Sequence, residues 1–185
     1  SFIDFYSFHA QTTDFIRDKR PDALDLDLAA DLQEFISRSP SDKLFIVLHC
    51  YGSHFNYRER YDSSARMFTP DKASEASVEN RSELVNAYDN TIIATDALID
   101  NVISYLAGLD IPSALFYTSD HGEDIFDDER GRFLHASPTT TFTQLHVPFV
   151  VWISESYRLA FPEIVNNIEA NSDLNISTSR SLFPT

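Results

Sequence analysis

Apolar residues recur along this chain in two rhythms, and each rhythm marks a kind of element. From Asp22 to Ser37, Leu24, Leu28, Leu32, Phe35 and Ile36 fall at helical spacing, with acidic residues on the other face. Pro21 and Asp22 suit the start of that helix, and Ser39-Pro40 its end. The longest periodic stretch runs from Arg81 to Ala107. Leu84, Tyr88, Ile92, Thr95, Leu98, Ile99, Val102 and Leu106 make one stripe there. Asn80 followed by Glu83 has the form of a capping box, Gly108 suits the C-terminal cap, and Pro112 forbids continuation. Three apolar runs are too short for helices and read as buried strands: 43–50, 112–118 and 147–153.

A strand, a long helix and a strand in that order predict a right-handed parallel crossover. The expected fold class is α/β, a three-layer α/β/α sandwich with a mostly parallel sheet. Residues 44–49, 113–118 and 147–153 are expected to share that sheet. Residues 51–80 lack periodicity and are rich in Ser, Arg and Asp. A loop of that length inside a compact domain usually serves function. Residues 124–132 read as a charged loop. No internal repeat and no low-complexity segment breaks the chain into parts.

Composition narrows the picture. A length of 185 residues suits one domain with a core, and 43% hydrophobic residues exclude a disordered chain. The formal net charge of -15 argues against nucleic acid, because a phosphate polyanion is repelled by such a surface. An anionic substrate must be met locally, by a metal or by His and Arg side chains. Cys50 is the one cysteine, so no internal disulfide forms, and its place after an apolar run reads as a buried structural thiol. No apolar run approaches the roughly 18 to 20 residues of a membrane helix. No signal-peptide pattern opens the chain. The chain is therefore expected to be a soluble piece.

Candidate chemistry concentrates after the second strand. Tyr117-Thr118-Ser119-Asp120-His121-Gly122-Glu123 sets a carboxylate beside an imidazole, with a glycine where the backbone turns. Asp and His both bind zinc-like cations. At a strand's carboxyl end they face the crevice where open α/β sheets bind ligands. Read alone, an Asp-His pair fits a surface turn as well as a metal site. His54, in a Gly-Ser-His turn beyond the first strand, reads alone as a loop residue, though its position is the same sheet edge. His135 fits a solvated loop or a phosphate contact. Glu123 is a candidate to orient His121 from behind. His49 and His146 are read as structural, His146 because a strand start lies at the opposite edge. Asp89 and Asp96 are read as structural too.

Four segments together resemble one family. They are His49-Cys50-Tyr51-Gly52-Ser53-His54 with Tyr57 and Arg60-Tyr61; Glu83-Leu84-Val85-Asn86-Ala87-Tyr88-Asp89-Asn90-Thr91 with Thr95-Asp96; Ser119-Asp120-His121-Gly122-Glu123; and Phe133-Leu134-His135-Ala136-Ser137-Pro138 with Gln144-Leu145-His146-Val147-Pro148. In this order they resemble the catalytic domain of the lipid A phosphoethanolamine transferases, of the alkaline phosphatase and sulfatase superfamily. The resemblance covers roughly residues 44–153. It implies zinc as the metal, held by Asp120 and His121. It implies His54 and His135 as contacts of the phosphoryl group or its leaving oxygen. It implies phosphatidylethanolamine as donor, a lipid A or lipopolysaccharide sugar as acceptor, and a phospho-Thr intermediate. It also implies a parent protein anchored in the inner membrane with this domain facing the periplasm.

The chain departs from the family at Phe55-Asn56, where Gly-Pro commonly follows the turn, and in two extra residues between His121 and His135. The family's nucleophilic Thr and a further acidic ligand precede the first motif, and residues 1–40 hold no matching pattern; Thr12-Thr13 lacks the context. Residues 1–185 are therefore expected to be a partial catalytic domain, trimmed at both ends, with the end at Ser181-Leu182-Phe183-Pro184-Thr185 resembling the start of a helix. As a fragment it is expected to be inactive. The rival readings are a sulfatase or phosphoglycerol transferase of the same superfamily, and a non-catalytic domain that kept the fold.

Overall fold

The computed structural model describes residues 20, 22–135 and 138–174. The expectations for Pro21, for Thr12-Thr13, for Ala136-Ser137 and for residues 181–185 fall outside them. In chain order the elements are a 3-10 turn at Asp25–Asp27, α1 (Leu28–Arg38), a 3-10 turn at Tyr57–Glu59, α2 (Arg81–Ala107), β1 (Ala114–Thr118), β2 (Asp124–Ile125), β3 (Phe133–Leu134), α3 (Phe142–Leu145), β4 (Phe149–Ile153), α4 (Glu155–Ala160) and α5 (Pro162–Ala170). Among the described residues, no helix is long and apolar enough to cross a membrane.

α2 is the axis of the structure. Its 27 residues run about 40 Å at 1.5 Å each, and its two halves serve different clusters. The N-terminal half gives Leu84 and Ala87 to a core shared with Tyr57 and Ile125. Phe55, Tyr88, Phe126 and Phe133 close over it. Four of these aromatics meet edge to face, with Tyr57 5.3 Å from both Phe55 and Tyr88, and Phe55 5.1 Å from Phe133. The C-terminal half gives Leu98 and Val102 to a second core with Ala29 and Leu32 of α1, packed by Ile46, Leu48, Cys50 and Leu115.

The helix follows the sequence pattern in its span but not at its start. Asn80 makes no side-chain cap; its amide donates to the Glu75 carbonyl at 3.2 Å. Glu83 accepts instead from the Lys72 backbone at 3.1 Å. The two residues that spell a capping box hold the preceding loop rather than each other. Asn90, 1% exposed, does the same about two turns further on. Its Oδ1 accepts from the backbones of Met67 and Phe68 at 2.8 and 2.9 Å, and its Nδ2 donates to the Phe68 carbonyl at 2.9 Å. Asn86 donates to the Pro70 carbonyl at 2.8 Å. The long loop of residues 51–80 is thus stapled along one polar stripe of α2.

The sheet departs from expectation. Among the described residues there are two sheets, β1 with β4 and β2 with β3, and both pairs are antiparallel. The mostly parallel arrangement is not what these strands form. β1 and β4 pair Thr118 with Phe149 and Ala114 with Ile153. The physical reason lies in the connection. After β1 the chain forms the β2–β3 hairpin and α3, then re-enters at the edge it left, because Gly122 N–H donates to the Gln144 carbonyl at 2.8 Å. No crossover helix carries it to the other end, so β4 must run back. Residues 43–50, expected as a buried strand, enter neither sheet. Ile46 and Leu48 face the core while Phe45 and Val47 are exposed, which gives the period-2 alternation of a half-covered segment. Its apolar run comes from two faces of different fate.

Leu84 is fully buried at the centre of the aromatic cluster. Leu84→Ala is expected to lower the unfolding free energy by about 2–5 kcal/mol, read from urea denaturation followed by circular dichroism. Burial, and then the Asp25 carboxylate, push the Cys50 thiol up to about 12 from its ordinary 9.0. The folded chain therefore keeps this proton while the unfolded chain loses it, so the group's contribution to stability falls as pH rises from about 9 towards 12. At pH 8, alkylation of Cys50 should be at least about tenfold slower in the folded chain than in urea, with mass spectrometry as the readout.

Candidate active site

The loop that leaves β1 is built around one close backbone approach. A Cβ on Gly122 would lie 2.0 Å from the Thr143 carbonyl oxygen, so only glycine fits here. That contact fixes residues 120–123 against α3. Asp124, 2% exposed, then anchors the far side. It accepts from Thr141 at 2.7 Å, from Gln144 Nε2 at 2.8 Å, and from Thr143. Leu134, next to His135, holds a left-handed φ of 65°. A β-branched or bulky residue pays steric strain there, and Gln144 Nε2 secures its carbonyl at 3.3 Å.

This scaffold brings His121 and His135 together. Their ring centroids lie 3.8 Å apart with planes 36° from parallel. The Asp120 carboxylate approaches His121 Nε2 at 3.7 Å and is itself 86% exposed. Its other oxygen accepts the His121 backbone N–H at 3.0 Å. Glu123 lies behind the pair. The expectation that it orients His121 is corrected here, because its Oε1 meets His135 Nδ1 at 3.3 Å. Its Oε2 accepts from the Tyr57 hydroxyl at 2.5 Å. Burial and the Glu123 carboxylate push the Tyr57 hydroxyl far up, so it is a pure donor at any working pH. Sequence reasoning did not single out Tyr57 for this task. Its signal was an aromatic beside a motif, which reads as core packing, and it is that too.

Each imidazole is pinned by one nitrogen. His121 Nδ1 lies 3.0 Å from the Gly122 carbonyl and His54 Nδ1 2.6 Å from the Phe55 carbonyl. A carbonyl can only accept, so in both rings Nδ1 carries a proton and Nε2 is the nitrogen left for other partners. His135 Nδ1 faces a carboxylate in the same way.

His54 stands apart from the pair. It is exposed, its ring edge meets Tyr51 at 5.9 Å, and its carbonyl accepts from Arg60 at 2.9 Å. The link to the pair is through α2. Ser53 shares a 2.6 Å hydrogen bond with Thr91, which also donates to the Tyr88 carbonyl at 2.6 Å. Tyr88 packs on Tyr57, which holds Glu123. His146 stacks on Phe142 at 4.6 Å. Because β4 is antiparallel, it stands at the same sheet edge as Asp120, not the opposite one. It lines a cleft of about 320 Å³ that it shares with Tyr88, Asp89, Asp127 and the back of Glu123. His49 is exposed and Asp96 lies on the outer face of α2.

Among the described residues no three His, Cys, Asp or Glu side chains converge as a complete metal set. The donors that are present fit part of one. His121 offers an Nε2 lone pair, and a carboxylate stands 3.7 Å from it on an open face. A zinc site needs further ligands beyond these two.

Gly122→Ala is expected to destabilise the chain by about 1–3 kcal/mol through overpacking against backbone, and to move the Asp120-His121 loop. A thermal melt checks the first, and loss of the close His121–His135 contact in a structure of the variant checks the second.

Comparisons with known proteins place the chain in a family. The family model described as Sulfatase matches residues 2–183. The Kdo(2)-lipid A phosphoethanolamine 7''-transferase of Escherichia coli K12 is 35% identical over 135 residues, which cover 72% of this chain and 23% of that protein. The chain thus spans about a quarter of that curated relative. The integral membrane lipooligosaccharide phosphoethanolamine transferase EptA of Neisseria meningitidis superposes with a TM-score of 0.75 at 34% identity, covering 84% of this chain and 29% of that one. The C-terminal periplasmic domain of Escherichia coli EptC, solved as a zinc complex, superposes with a TM-score of 0.65 over 82% of this chain and 42% of that one. At 24% identity that likeness shows the fold alone. An alkaline phosphatase-like α/β fold follows from these neighbours. On a family match that spans nearly all of its length, the chain belongs to the sulfatase family, and the relatives it matches are phosphoethanolamine transferases.

Proposed function

We propose that this chain is the later part of the catalytic domain of a zinc-dependent phosphoethanolamine transferase. The observation that carries the reading is the stacked His121–His135 pair with Asp120 on one side and the Tyr57–Glu123 dyad on the other. Such a pair can hold a cation with one ring and a phosphoryl oxygen with the other. Of the relatives named above, one is a Kdo(2)-lipid A phosphoethanolamine transferase and another a lipooligosaccharide phosphoethanolamine transferase, which supports this reading.

Asp120 and His121 are assigned to zinc, through the carboxylate and Nε2. When bound, zinc supplies Lewis-acid stabilisation of a phosphoryl oxygen and a lowered pKa for a nucleophilic hydroxyl. The nucleophile, a Thr by family resemblance, belongs to the parent protein outside this chain. Its oxygen attacks the phosphorus of phosphatidylethanolamine, and the bond to the diacylglycerol oxygen breaks. His135, protonated on both nitrogens with Glu123 facing Nδ1, gives its Nε2 proton to that leaving oxygen, and the neutral ring then takes the proton of the acceptor hydroxyl in the second step. The phospho-Thr then passes phosphoethanolamine to a hydroxyl or phosphate of a lipid A or lipopolysaccharide sugar, and the Thr oxygen leaves as the alkoxide that began the cycle. His54, tethered through Nδ1, is assigned to contact the phosphoryl group from the α2 side. The parent is membrane-anchored in the inner membrane, with this domain in the periplasm, where donor and acceptor meet.

The exposed side of the strands supports the partial-domain reading. Phe116, in the middle of β1, is 62% exposed, and Val47 is 72% exposed. A soluble domain rarely leaves a mid-strand Phe in water. This face is assigned to contact with the rest of the catalytic domain.

The test compares the 185-residue chain with its parent, using a fluorescent phosphatidylethanolamine and following diacylglycerol release. The parent is expected to hold zinc and turn over, and the chain alone to do neither. Asp120→Ala and His121→Ala in the parent should lower zinc content and cost at least about a hundredfold in rate. His135→Gln should keep zinc and lose about 10²–10⁴-fold. Turnover by the chain alone, or a zinc-free inactive parent, sinks the reading.

A further inference from the structure

We infer that the loop carrying Met67 and Phe68 is a bilayer-contact surface that seats this domain on an anionic phospholipid membrane. Met67 is 72% exposed and Phe68 39%. Two adjacent large apolar side chains on a loop normally either fold inward or belong to a mobile segment. These do neither. Their two backbone N–H groups and the Phe68 carbonyl are all taken by Asn90, a side chain buried in α2. Asn86 takes the Pro70 carbonyl, and Glu83 takes the Lys72 N–H. A buried amide and two more polar side chains are thus committed to holding an apolar tip outward. That rigidity removes the ordering cost of binding.

Charge says what the tip meets. The chain carries -15 overall, yet residues 57–72 hold Arg58, Arg60, Arg66 and Lys72 against Glu59, Asp62 and Asp71. Asp71 is 1% exposed and lies beneath the tip, accepting from Tyr61 at 2.8 Å and pairing with Arg66 at 3.4 Å. The carboxylate is hidden and the guanidinium is at the surface. Arg58 lies over the Tyr61 ring at 5.0 Å, so it too is held in place. Arg58 also faces Asp71, at 3.8 Å, and the Arg60 side chain is only 10% exposed, so Arg66 and Lys72 are the cations that flank the apolar tip, a pairing that matches acyl chains under anionic headgroups. A protein partner with a complementary acidic groove is the competing occupant, and the lipid is favoured by position. Asn90 holds the tip, and its neighbour Thr91 holds Ser53 beside His54. One turn of α2 therefore fixes both the tip and the edge of the proposed active site. A site that acts on a lipid headgroup must come close to the bilayer, and this places its contact.

The inference rests on the phosphoethanolamine reading for its biological partner, but its test needs no catalysis. The 185-residue chain is sedimented with vesicles of phosphatidylethanolamine and phosphatidylglycerol, and with phosphatidylcholine vesicles. It should partition to the anionic vesicles, and added salt should weaken that partition. Met67→Ser with Phe68→Ser should lower it by about tenfold or more. Lys72→Glu, which touches no packing, should lower it by about threefold. Phe116→Ser, on the face assigned to the rest of the domain, should bind as the wild type does. Thermal melts establish that each variant is folded. Absence of wild-type binding, equal binding to phosphatidylcholine, or a double variant that binds like the wild type overturns the inference. An active parent whose chain ignores vesicles leaves the transferase reading standing, and vesicle binding beside an inactive parent leaves only this inference.

Discussion

Glu123 is a carboxylate taken almost wholly out of water, and such a group is tolerated only when its oxygens are satisfied. Tyr57 satisfies one and His135 the other. Those two bonds join three parts of the chain that are remote in sequence: the start of the long loop, the turn after β1, and the end of the β2–β3 hairpin. The aromatic cluster around Tyr57 exists to hold that hydroxyl still, and the hairpin exists to bring His135 to the carboxylate. Removing the carboxylate would strand a buried hydroxyl and release a ring at once. The proposed chemistry and the core therefore share one bond network here, and neither is an addition to the other.

α2 supplies the second level of order. Its apolar side builds two cores, and its polar side ties down the loop of residues 51–80 through Glu83, Asn86, Asn90 and Thr91. Buried polar residues inside a helix weaken it slightly in isolation. Here each finds backbone or hydroxyl partners, which turns a local cost into the specification of a loop with no regular structure of its own. The loop keeps one path because its backbone groups, which would otherwise need water, are met by the helix.

Much of this was legible in the sequence, for identifiable reasons. A 3.6-residue period sustained over Arg81–Ala107 admits one interpretation, and the helix spans those residues. The glycine after Asp120-His121 was legible as a turn residue, but what requires it is the close approach of the Thr143 carbonyl, which the sequence did not announce. Strand direction was not legible, because a short apolar run looks the same in either sense. The bond from Gly122 to Gln144 decides that β4 runs antiparallel, and no local pattern announces it. The run at 43–50 misled because continuous hydrophobicity hid a difference between its two faces. His146 was placed at the wrong edge as a consequence of the strand direction. Glu123 was recognised as a supporting residue but assigned to the nearer histidine in sequence. Space, not sequence, gave it to His135. Asn90 was invisible because an amide inside an amphipathic stripe reads as a surface residue until its partners are seen.

The pinning of each ring through Nδ1 has a consequence for how these histidines can be replaced. An asparagine amide reaches about as far as Nδ1, and a glutamine amide about as far as Nε2. At His121, an asparagine therefore retains the tether to the turn and loses the outward lone pair, while a glutamine offers an outward oxygen and gives up the tether. The two amides separate holding from reaching, which a single alanine cannot do. By fixing one nitrogen in each of these three rings, the fold gives His54, His121 and His135 an inner half that belongs to the scaffold and an outer half that can change partners without disturbing it.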